Sequence, residues 1–177
     1  MSSKPFLTTA RFELWRPDAG DLDSLCALLD DEETRRFLGP SGPEASSQFD
    51  RLLRTAGGWA LFGYGSFYVR RPGRREIIAS CGMFPALRGF GKGMDGPEAG
   101  WIVRRDHWRQ GVASEVMETA LEWFDAAHGP RRISCMIEDG NTASEMLAAR
   151  LGFVAYDSHV LEDPDPVNLT LYERVAG

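Results

Sequence analysis

The sequence predicts a single domain of the α/β (α+β) class, with a mixed β-sheet and helices on its faces. Segments early in the chain alternate apolar and polar residues and are joined by short turns, a pattern typical of antiparallel strands. A later strand–helix–strand unit over residues 98–138 requires a parallel crossover between its two strands. At 177 residues, the chain has the length of one domain, which we assign to residues 1–177.

The first half of the chain predicts helices between its strands. A strand over residues 11–17 turns Phe12 and Leu14 inward. Asp18 or Asp21 can cap the helix that follows it. The apolar face of that helix comprises Leu22, Leu25, Cys26 and Leu29. Further helices are expected over residues 32–39 and 43–56, and two strands over residues 65–71 and 76–84 form a hairpin at Pro72-Gly73.

A glycine-rich segment separates this hairpin from the next strand. Residues 85–97 hold Gly89, Gly91, Gly93 and Gly96, which predicts a long mobile loop. Long loops without secondary structure are frequently functional, so this loop is a candidate lid over a substrate site.

The second half of the chain alternates strands with two helices. The apolar run at residues 98–104 predicts a central strand buried on both faces. The next helix places one apolar face inward, which comprises Ala113, Val116, Met117, Ala120, Leu121 and Phe124. A strand over residues 131–138 and a second helix follow, the helix with Ala143, Met146, Leu147 and Leu151 inward. Strands over residues 153–161 and 167–175, joined by a turn at 163–166, complete the sheet.

Composition narrows the class of protein. The net charge of −6 argues against a protein that binds duplex DNA, because neutralising phosphates normally needs a basic face. Three widely spaced cysteines in no CxxC pattern indicate neither a disulfide framework nor a zinc site, and they favour a reducing cytoplasm. We see no secretion signal and no run long enough to cross a membrane, so no membrane partner is expected.

The turn that precedes the first long helix of the second half places small residues where a helix begins. Gly111 and Ala113 have two explanations: close packing of the helix on the sheet, or the approach of an anion to the helix amides. The first amide groups of a helix have no partner within it and carry partial positive charge, which suits a phosphate. The turn lacks the lysine of a P-loop, so it does not by itself predict nucleotide binding.

Two longer segments make the turn specific. "GWIVRRDHWRQGVASEV" and "NTASEMLAARLGF", about thirty residues apart, together resemble the GNAT (GCN5-related) N-acetyltransferase family. The opening "TTARFELWRPDAGDLDSL" is similar to the usual start of the branch that contains the ribosomal-protein alanine acetyltransferases. The family motif Q/R-x-x-G-x-G/A is met at Gly111 and Ala113, whereas Trp108 stands where Gln or Arg is usual.

This resemblance implies a mostly antiparallel sheet with a central, splayed pair of parallel strands and flanking helices. It also implies that the substrate acetyl-CoA lies with its pyrophosphate on the backbone amides of residues 109–114 and its pantetheine arm between the splayed strands. The residues expected to bind coenzyme A are Ile102, Val103, Arg104, Arg109, Gln110, Gly111, Val112, Ala113, Ser114 and Asn141. No metal site is expected, since no two histidines stand at ligand spacing.

Acetyl transfer to an amine needs a base, because an alkyl ammonium has a pKa of about 10 and an α-ammonium about 8. Glu98 begins the strand that would hold the pantetheine arm and is our candidate base; the alternative is a solvated glutamate at a strand end. The resemblance implies that a backbone N–H near Ile102 or Val103 stabilises the oxyanion.

Two residues at the start of the second helix complete the candidate site. Asn141 is expected to cap the helix and also to contact coenzyme A. Ser144 matches a serine of the ribosomal-protein branch that can protonate the leaving thiolate, with helix capping as the alternative. A tyrosine of another branch is replaced here by Ala148, which leaves Tyr156 and Tyr172 as substitutes or as ordinary strand residues.

The resulting hypothesis is an acetyl-CoA-dependent N-acetyltransferase that acts by direct attack in a ternary complex. The acceptor is a protein N-terminus, a small amine or an amino-acid derivative, and the chain is a monomer or a homodimer. The alternatives are a non-catalytic domain of the same fold that binds coenzyme A or a partner, and a nucleotide-binding module.

Overall fold

The computed structural model describes residues 4–39, 42–162 and 165–175. The strands are β1 (Leu7–Thr8), β2 (Glu13–Trp15), β3 (Ser66–Arg70), β4 (Ala79–Leu87), β5 (Asp95–Val103), β6 (Arg132–Glu138), β7 (Val154–Leu161) and β8 (Val167–Val175). The α-helices are α1 (Leu22–Leu28), α2 (Glu32–Arg35), α3 (Ala45–Phe62), α4 (Val112–His128) and α5 (Thr142–Arg150). In this part of the chain, no helix is long and apolar enough to cross a membrane.

The strands form one mixed sheet in the order β1-β2-β3-β4-β5-β6-β8-β7. Strands β1 to β5 run as an antiparallel meander, and β6, β8 and β7 are also antiparallel to their neighbours. Strand β5 is parallel to β6, with α4 as the crossover between them. The predicted mixed fold with one parallel pair is therefore confirmed.

The parallel pair is splayed. Strand β5 pairs with β4 through nine residues, and β6 pairs with β8 through seven, but β5 and β6 meet at a single pair, Glu98 with Ser134. Each strand follows its antiparallel neighbour, so the two diverge beyond this pair. The divergence opens a gap in the middle of the sheet.

Helices cover both faces of the sheet. Phe67 and Val69 face the large core cluster beneath α4, whereas Tyr68, between them on β3, packs with Leu52 of α3. Because neighbouring residues of a strand point to opposite faces, α4 and this part of α3 lie on opposite sides of the sheet. The predicted inward face of α4 is confirmed, with Ala113 at its margin half-buried.

The inward face predicted for α5 is wrong in part. Ala143 is exposed and Met146 is 70% exposed, whereas Ala148 is fully buried with Leu147 and Leu151 beside it. The helix has nine residues and weak amphipathicity, so its sequence did not fix which side meets the sheet.

The long loop predicted over residues 85–97 is also wrong. Strand β4 continues to Leu87 and β5 begins at Asp95, so only residues 88–94 connect them, and Pro85 lies opposite Pro97. The amide of Arg104 donates to the carbonyl of Ile78, so these two opposite residues form a hydrogen-bonded pair. Hydrogen-bonded and non-hydrogen-bonded pairs alternate along an antiparallel ladder, and the Pro85–Pro97 pair, seven positions away, is therefore a non-hydrogen-bonded one. Neither proline therefore removes a bond from this ladder.

The 88–94 connection is held against β7 rather than free. Phe90 stacks on His159 with ring centroids 3.9 Å apart, and Met94 is fully buried. Tyr156 donates its hydroxyl proton to the carbonyl of Lys92 at 2.7 Å. These contacts argue against the mobile lid that the glycines predicted.

Helix α3 runs six residues beyond its predicted end at residue 56. Trp59, which lies beyond the predicted end, packs with Phe6, Phe67 and Trp123 in an aromatic cluster. This packing carries the helix through Gly57 and Gly58 despite their low helix propensity. The turn predicted at residues 163–166 falls partly outside the described residues.

Candidate active site

A cleft of about 600 Å³ lies where β5 and β6 separate. Its walls come from α3, the far half of β4, the middle of β5 and the end of β6, and Asn141 and Ser144 of the α5 start close one side. Glu98 and Ile102 also line it, so the cleft joins several of the predicted site residues.

The turn between β5 and α4 leaves the start of the helix open. Gly111 is the residue before the helix and has φ +72°, the left-handed region that favours glycine. The first helical bond runs from the amide of Glu115 to the carbonyl of Gly111, and no side chain caps the helix. The amides of Val112, Ala113 and Ser114 are therefore available to an anion.

The two arginines that were predicted to bind coenzyme A at this turn, Arg104 and Arg109, differ in their partners. Arg104 is paired with Glu76 and with Asp106, and these hydrogen bonds raise the pKa of its guanidinium. Its charge is thus already balanced by two carboxylates. Arg109 is exposed in the turn, with φ +59°.

A second arginine reaches the turn from the start of the chain. The Nη1 of Arg11 donates to the carbonyl of Gln110 at 2.9 Å, and its Nε lies 2.6 Å from a carboxylate oxygen of Glu115. A side chain at Gly111 would place its Cβ 3.4 Å from Nη2 of Arg11. Arg11 therefore fixes the turn while Glu115 balances its charge, a function that its position before β2 gave no reason to expect.

The backbone of β5 presents alternate residues to the gap. Because the amide of Arg104 points to β4, the amide of Ile102 also points to β4, and those of Trp101 and Val103 point towards β6. Beyond the Glu98–Ser134 pair, β6 has moved away from these groups. Of the two amides predicted to serve as oxyanion donors, the one of Val103 faces the gap.

Glu98 is buried rather than solvated. Its exposed fraction is 3%, and its two oxygens accept hydrogen bonds from Nε and Nη2 of Arg88 at 2.7 and 2.5 Å. Each carboxylate oxygen keeps a further lone pair for a water or an amine in the cleft. The alternative of a strand-end glutamate in solvent is therefore wrong, and the remaining alternatives are a base and a buried ion pair.

Ser144 and Asn141 lie together at the start of α5. The side-chain oxygen of Asn141 accepts a bond from the amide of Ser144 at 3.3 Å, which confirms Asn141 as the helix cap. The hydroxyl of Ser144 accepts a bond from Nε1 of Trp101 at 3.1 Å. This bond aims the hydroxyl at β5 and leaves its own proton available for donation.

Ser144 and Glu98 approach the cleft from opposite faces of the sheet. Trp101 packs with the core cluster beneath α4, whereas Glu98 shares its face of β5 with Ile102, which packs with the cluster under α3. The gap between β5 and β6 lets both groups reach one space. This convergence depends on the splayed strands.

The cysteine and tyrosine candidates have structural explanations. Burial raises the pKa of the Cys135 thiol, as expected for a structural cysteine. Burial also raises the pKa of Tyr172, and the hydroxyl of Tyr156 is engaged with the 88–94 connection. Across the described ranges, no group of three or more His, Cys, Asp or Glu residues could hold a metal ion.

Sequence reasoning missed three arginines of the cleft. Arg88 was assigned to the mobile loop, although its pairing with Glu98 follows once β4 and β5 are seen as one long hairpin. Arg51 and Arg54 line the cleft from α3. A signal was present: Arg51 is spaced three residues from the buried Gln48 and four from Thr55, which places it on the inward side of the helix.

Comparison with known proteins identifies the family. The family described as "Acetyltransferase (GNAT) domain" matches residues 11–154, which is most of the chain. The chain therefore belongs to the GNAT acetyltransferase family, and the prediction of an N-acetyltransferase enzyme is confirmed at this level.

Individual relatives agree with this assignment. The chain is 25% identical over 150 residues to the uncharacterized N-acetyltransferase YoaA of Bacillus subtilis, which covers 84% of this chain and 82% of that protein. A Bordetella pertussis protein assigned to the GNAT acetyltransferases shares 30% identity, with a TM-score of 0.83 over 95% of this chain and 98% of its own.

A ribosomal-protein acetyltransferase has the same fold. The structure of RimL, the L7/L12 α-N-protein acetyltransferase, in complex with coenzyme A superposes with a TM-score of 0.75 over 97% of this chain and 96% of RimL. The identity is 16%, so this likeness concerns the fold.

Proposed function

We propose that the protein transfers the acetyl group of acetyl-CoA to a primary amine by direct attack within a ternary complex. The observation that supports this most is the combination of an uncapped α4 start with the gap between β5 and β6 in a chain of the GNAT family. Both features suit a long ligand with an anionic end and an extended arm.

The residues present fit coenzyme A. The amides of Val112, Ala113 and Ser114, in a turn that Arg11 fixes and with the exposed Arg109 beside them, would hold the pyrophosphate. The gap-facing groups of Trp101 and the amide of Val103 would bond the pantetheine arm as an added strand does. The carbonyl of Val103 already accepts a bond from Nε1 of Trp108. When bound, acetyl-CoA supplies an activated thioester carbonyl.

The chain's own residues can meet the chemical demands of the transfer. Glu98, directly or through water, would take the proton of the attacking amine. A gap-facing amide of β5 that the pantetheine arm leaves free would donate to the oxygen on which negative charge develops. Ser144, oriented by Trp101, would pass a proton to the leaving thiolate and regain one from water in the cleft.

The test is a panel of amines, amino acids and N-terminal peptides incubated with acetyl-CoA while the release of free thiol is followed. We expect release with at least one acceptor and acetylated product of the matching mass. If coenzyme A binds, as measured by calorimetry, and no acceptor in the panel is acetylated, the non-catalytic alternative is favoured. Binding of ATP in place of acetyl-CoA would instead favour the nucleotide-binding module.

A further inference from the structure

The wall of the cleft on the α3 side carries positive charge without an acidic partner. Arg51 and Arg54 stand three residues apart on α3, and both line the cleft together with Thr55. Among the described residues, no carboxylate lies within ion-pair distance of either guanidinium. The third arginine of the cleft, Arg88, differs because Glu98 neutralises it.

Arg51 is the more constrained of the two. Its Nη1 is buried and has no hydrogen-bond acceptor among the described residues. Burial lowers the pKa of Arg51, but an arginine side chain stays protonated in proteins.

Several other partly buried arginines of the chain are paired with carboxylates. Arg70, largely buried nearby on β3, is paired with Asp21, and Arg174 is paired with Asp125 at 2.8 Å. A buried charge left without a partner is strongly destabilising. Arg51 combines a buried guanidinium nitrogen without an acceptor and a position on the cleft wall, which makes it a place where an anion can bind.

The phosphates of coenzyme A are not suited to this place. They would bind at the start of α4, and Arg51 lies next to Leu52, on the opposite face of the sheet from α4. Glu98 shares the face of Arg51, because it alternates with Ile102 on β5. An anion at Arg51 would thus belong to the molecule whose amine meets Glu98.

We propose that the acceptor carries a carboxylate near its amine, and that Arg51 binds this carboxylate with Arg54 adding positive charge. This proposal rests on the proposed function. The carboxylate is either the α-carboxylate of a free amino acid or an acidic side chain near the N-terminus of a peptide. Since the protein as a whole has a net charge of −6, these arginines also supply the local attraction that an anionic acceptor needs.

The first test compares acceptors that differ only in this charge. Free amino acids are compared with their carboxamides, and peptides with Asp at the second position are compared with the same peptides carrying Asn. We expect the carboxylate member of one of these series to have a kcat/KM about ten- to a hundredfold higher, as charge-assisted hydrogen bonds provide. Equal use of charged and neutral acceptors in both series overturns the proposal.

Variants place the charge preference at Arg51. Arg51→Gln should remove the preference for carboxylates, lowering kcat/KM for the charged acceptors much more than for the carboxamides and Asn peptides, and Arg51→Lys should restore part of it. Arg74→Gln, an equal charge change in the exposed β3–β4 turn, is the control and should keep the preference. A loss with Arg51→Gln that is equal for charged and neutral acceptors indicates a structural function and contradicts the proposal.

A binding measurement separates this proposal from the proposed function. The thermal midpoint of the protein loaded with coenzyme A is recorded with millimolar amino acids, Asp peptides and their neutral counterparts. A carboxylate-specific rise that Arg51→Gln abolishes supports the site even if no acceptor is acetylated, in which case only the proposed function fails. Absence of any carboxylate-specific rise, together with acetylation of neutral amines alone, overturns the site and leaves the function standing.

Discussion

The two ends of the candidate site are built by different means. The donor end, at residues 109–114, consists of consecutive backbone amides placed by one turn and one helix start. The acceptor end consists of side chains from α3, the β4–β5 hairpin and β6, which lie far apart in the chain. A short sequence motif therefore encodes the donor end, whereas the acceptor end forms only when the sheet brings distant segments together.

The largest effect is expected at the acceptor end. Glu98→Gln keeps the shape of the side chain but removes the proposed base, so kcat/KM should fall by about 10²- to 10⁴-fold while the affinity for coenzyme A stays unchanged. The measurement is thiol release with the best acceptor of the panel, beside calorimetry with coenzyme A. Glu138→Gln is the control, since Glu138 lines the same cleft at the end of β6.

The alternative to a base is a purely structural ion pair. In that case Arg88→Gln, which leaves the Glu98 carboxylate buried without its partner, should reduce activity at least as much as Glu98→Gln does. If Glu98 is the base, Glu98→Gln should reduce activity more than Arg88→Gln does, even though Arg88→Gln should lower the thermal midpoint more. Equal activity of Glu98→Gln and the wild type would exclude Glu98 as the base.

The sequence predicted the features that depend on neighbouring residues better than those that depend on residues far apart in the chain. The strand–helix–strand order, the inward face of α4 and the cap at Asn141 depend on neighbouring residues, and all three are confirmed. The four glycines and two prolines of the 85–97 segment predict a loop. Its pairing depends on strand partners and on contacts with β7 that its own residues do not encode.

The site residues show why the acceptor end escaped prediction. Glu98 could be selected as a candidate from its position on a strand, but the burial of its carboxylate depends on Arg88, ten residues earlier across the hairpin. The proposal that Arg51 binds an anion depends on its having no carboxylate partner among the described residues, which the sequence alone does not reveal. Ser144 was found from a motif, whereas its bond to Trp101 joins segments that are 43 residues apart.

A smaller effect is expected at the donor end. Gly111→Ala forces a side chain into the left-handed region at φ +72°, which costs about 1–2 kcal/mol and lowers the thermal midpoint by about 2–8 °C. The added Cβ also meets Nη2 of Arg11 at 3.4 Å and crowds the amides, so we expect affinity for coenzyme A to fall about tenfold. Thermal denaturation and calorimetry with coenzyme A measure the two effects separately.

Gly73→Ala is the matched control for this variant. Gly73 has φ +71° in the β3–β4 turn, and a Cβ there meets no other atom within 4 Å. It should lower the thermal midpoint by a similar amount and leave the affinity for coenzyme A unchanged. Unchanged affinity in Gly111→Ala as well would show that Gly111 serves backbone geometry alone and would remove the turn from the binding site.

The smallest effect concerns the charges that shape the donor turn. Hydrogen bonds from Arg104 hold the pKa of Asp106 at about 2, below the value of about 3.9 in an unfolded chain. A carboxylate with a lowered pKa stabilises the fold above pH 4, and this stabilisation is lost as the pH falls towards 2. Because Asp106 is 59% exposed, solvent screening limits its contribution at pH 7 to about 0.5–1 kcal/mol.

Asp106→Asn should therefore lower the thermal midpoint at pH 7 by about 1–4 °C and by progressively less at pH 4, 3 and 2. Asp50→Asn, on the exposed side of α3, corrects for the change in net charge. A difference that stays constant down to pH 2 would mean that Asp106 acts by packing or by neutral hydrogen bonds. In that case Arg104 would keep Glu76 alone as its counter-charge and would again be a candidate for binding the phosphates, which would make the donor end depend on side chains as the acceptor end does.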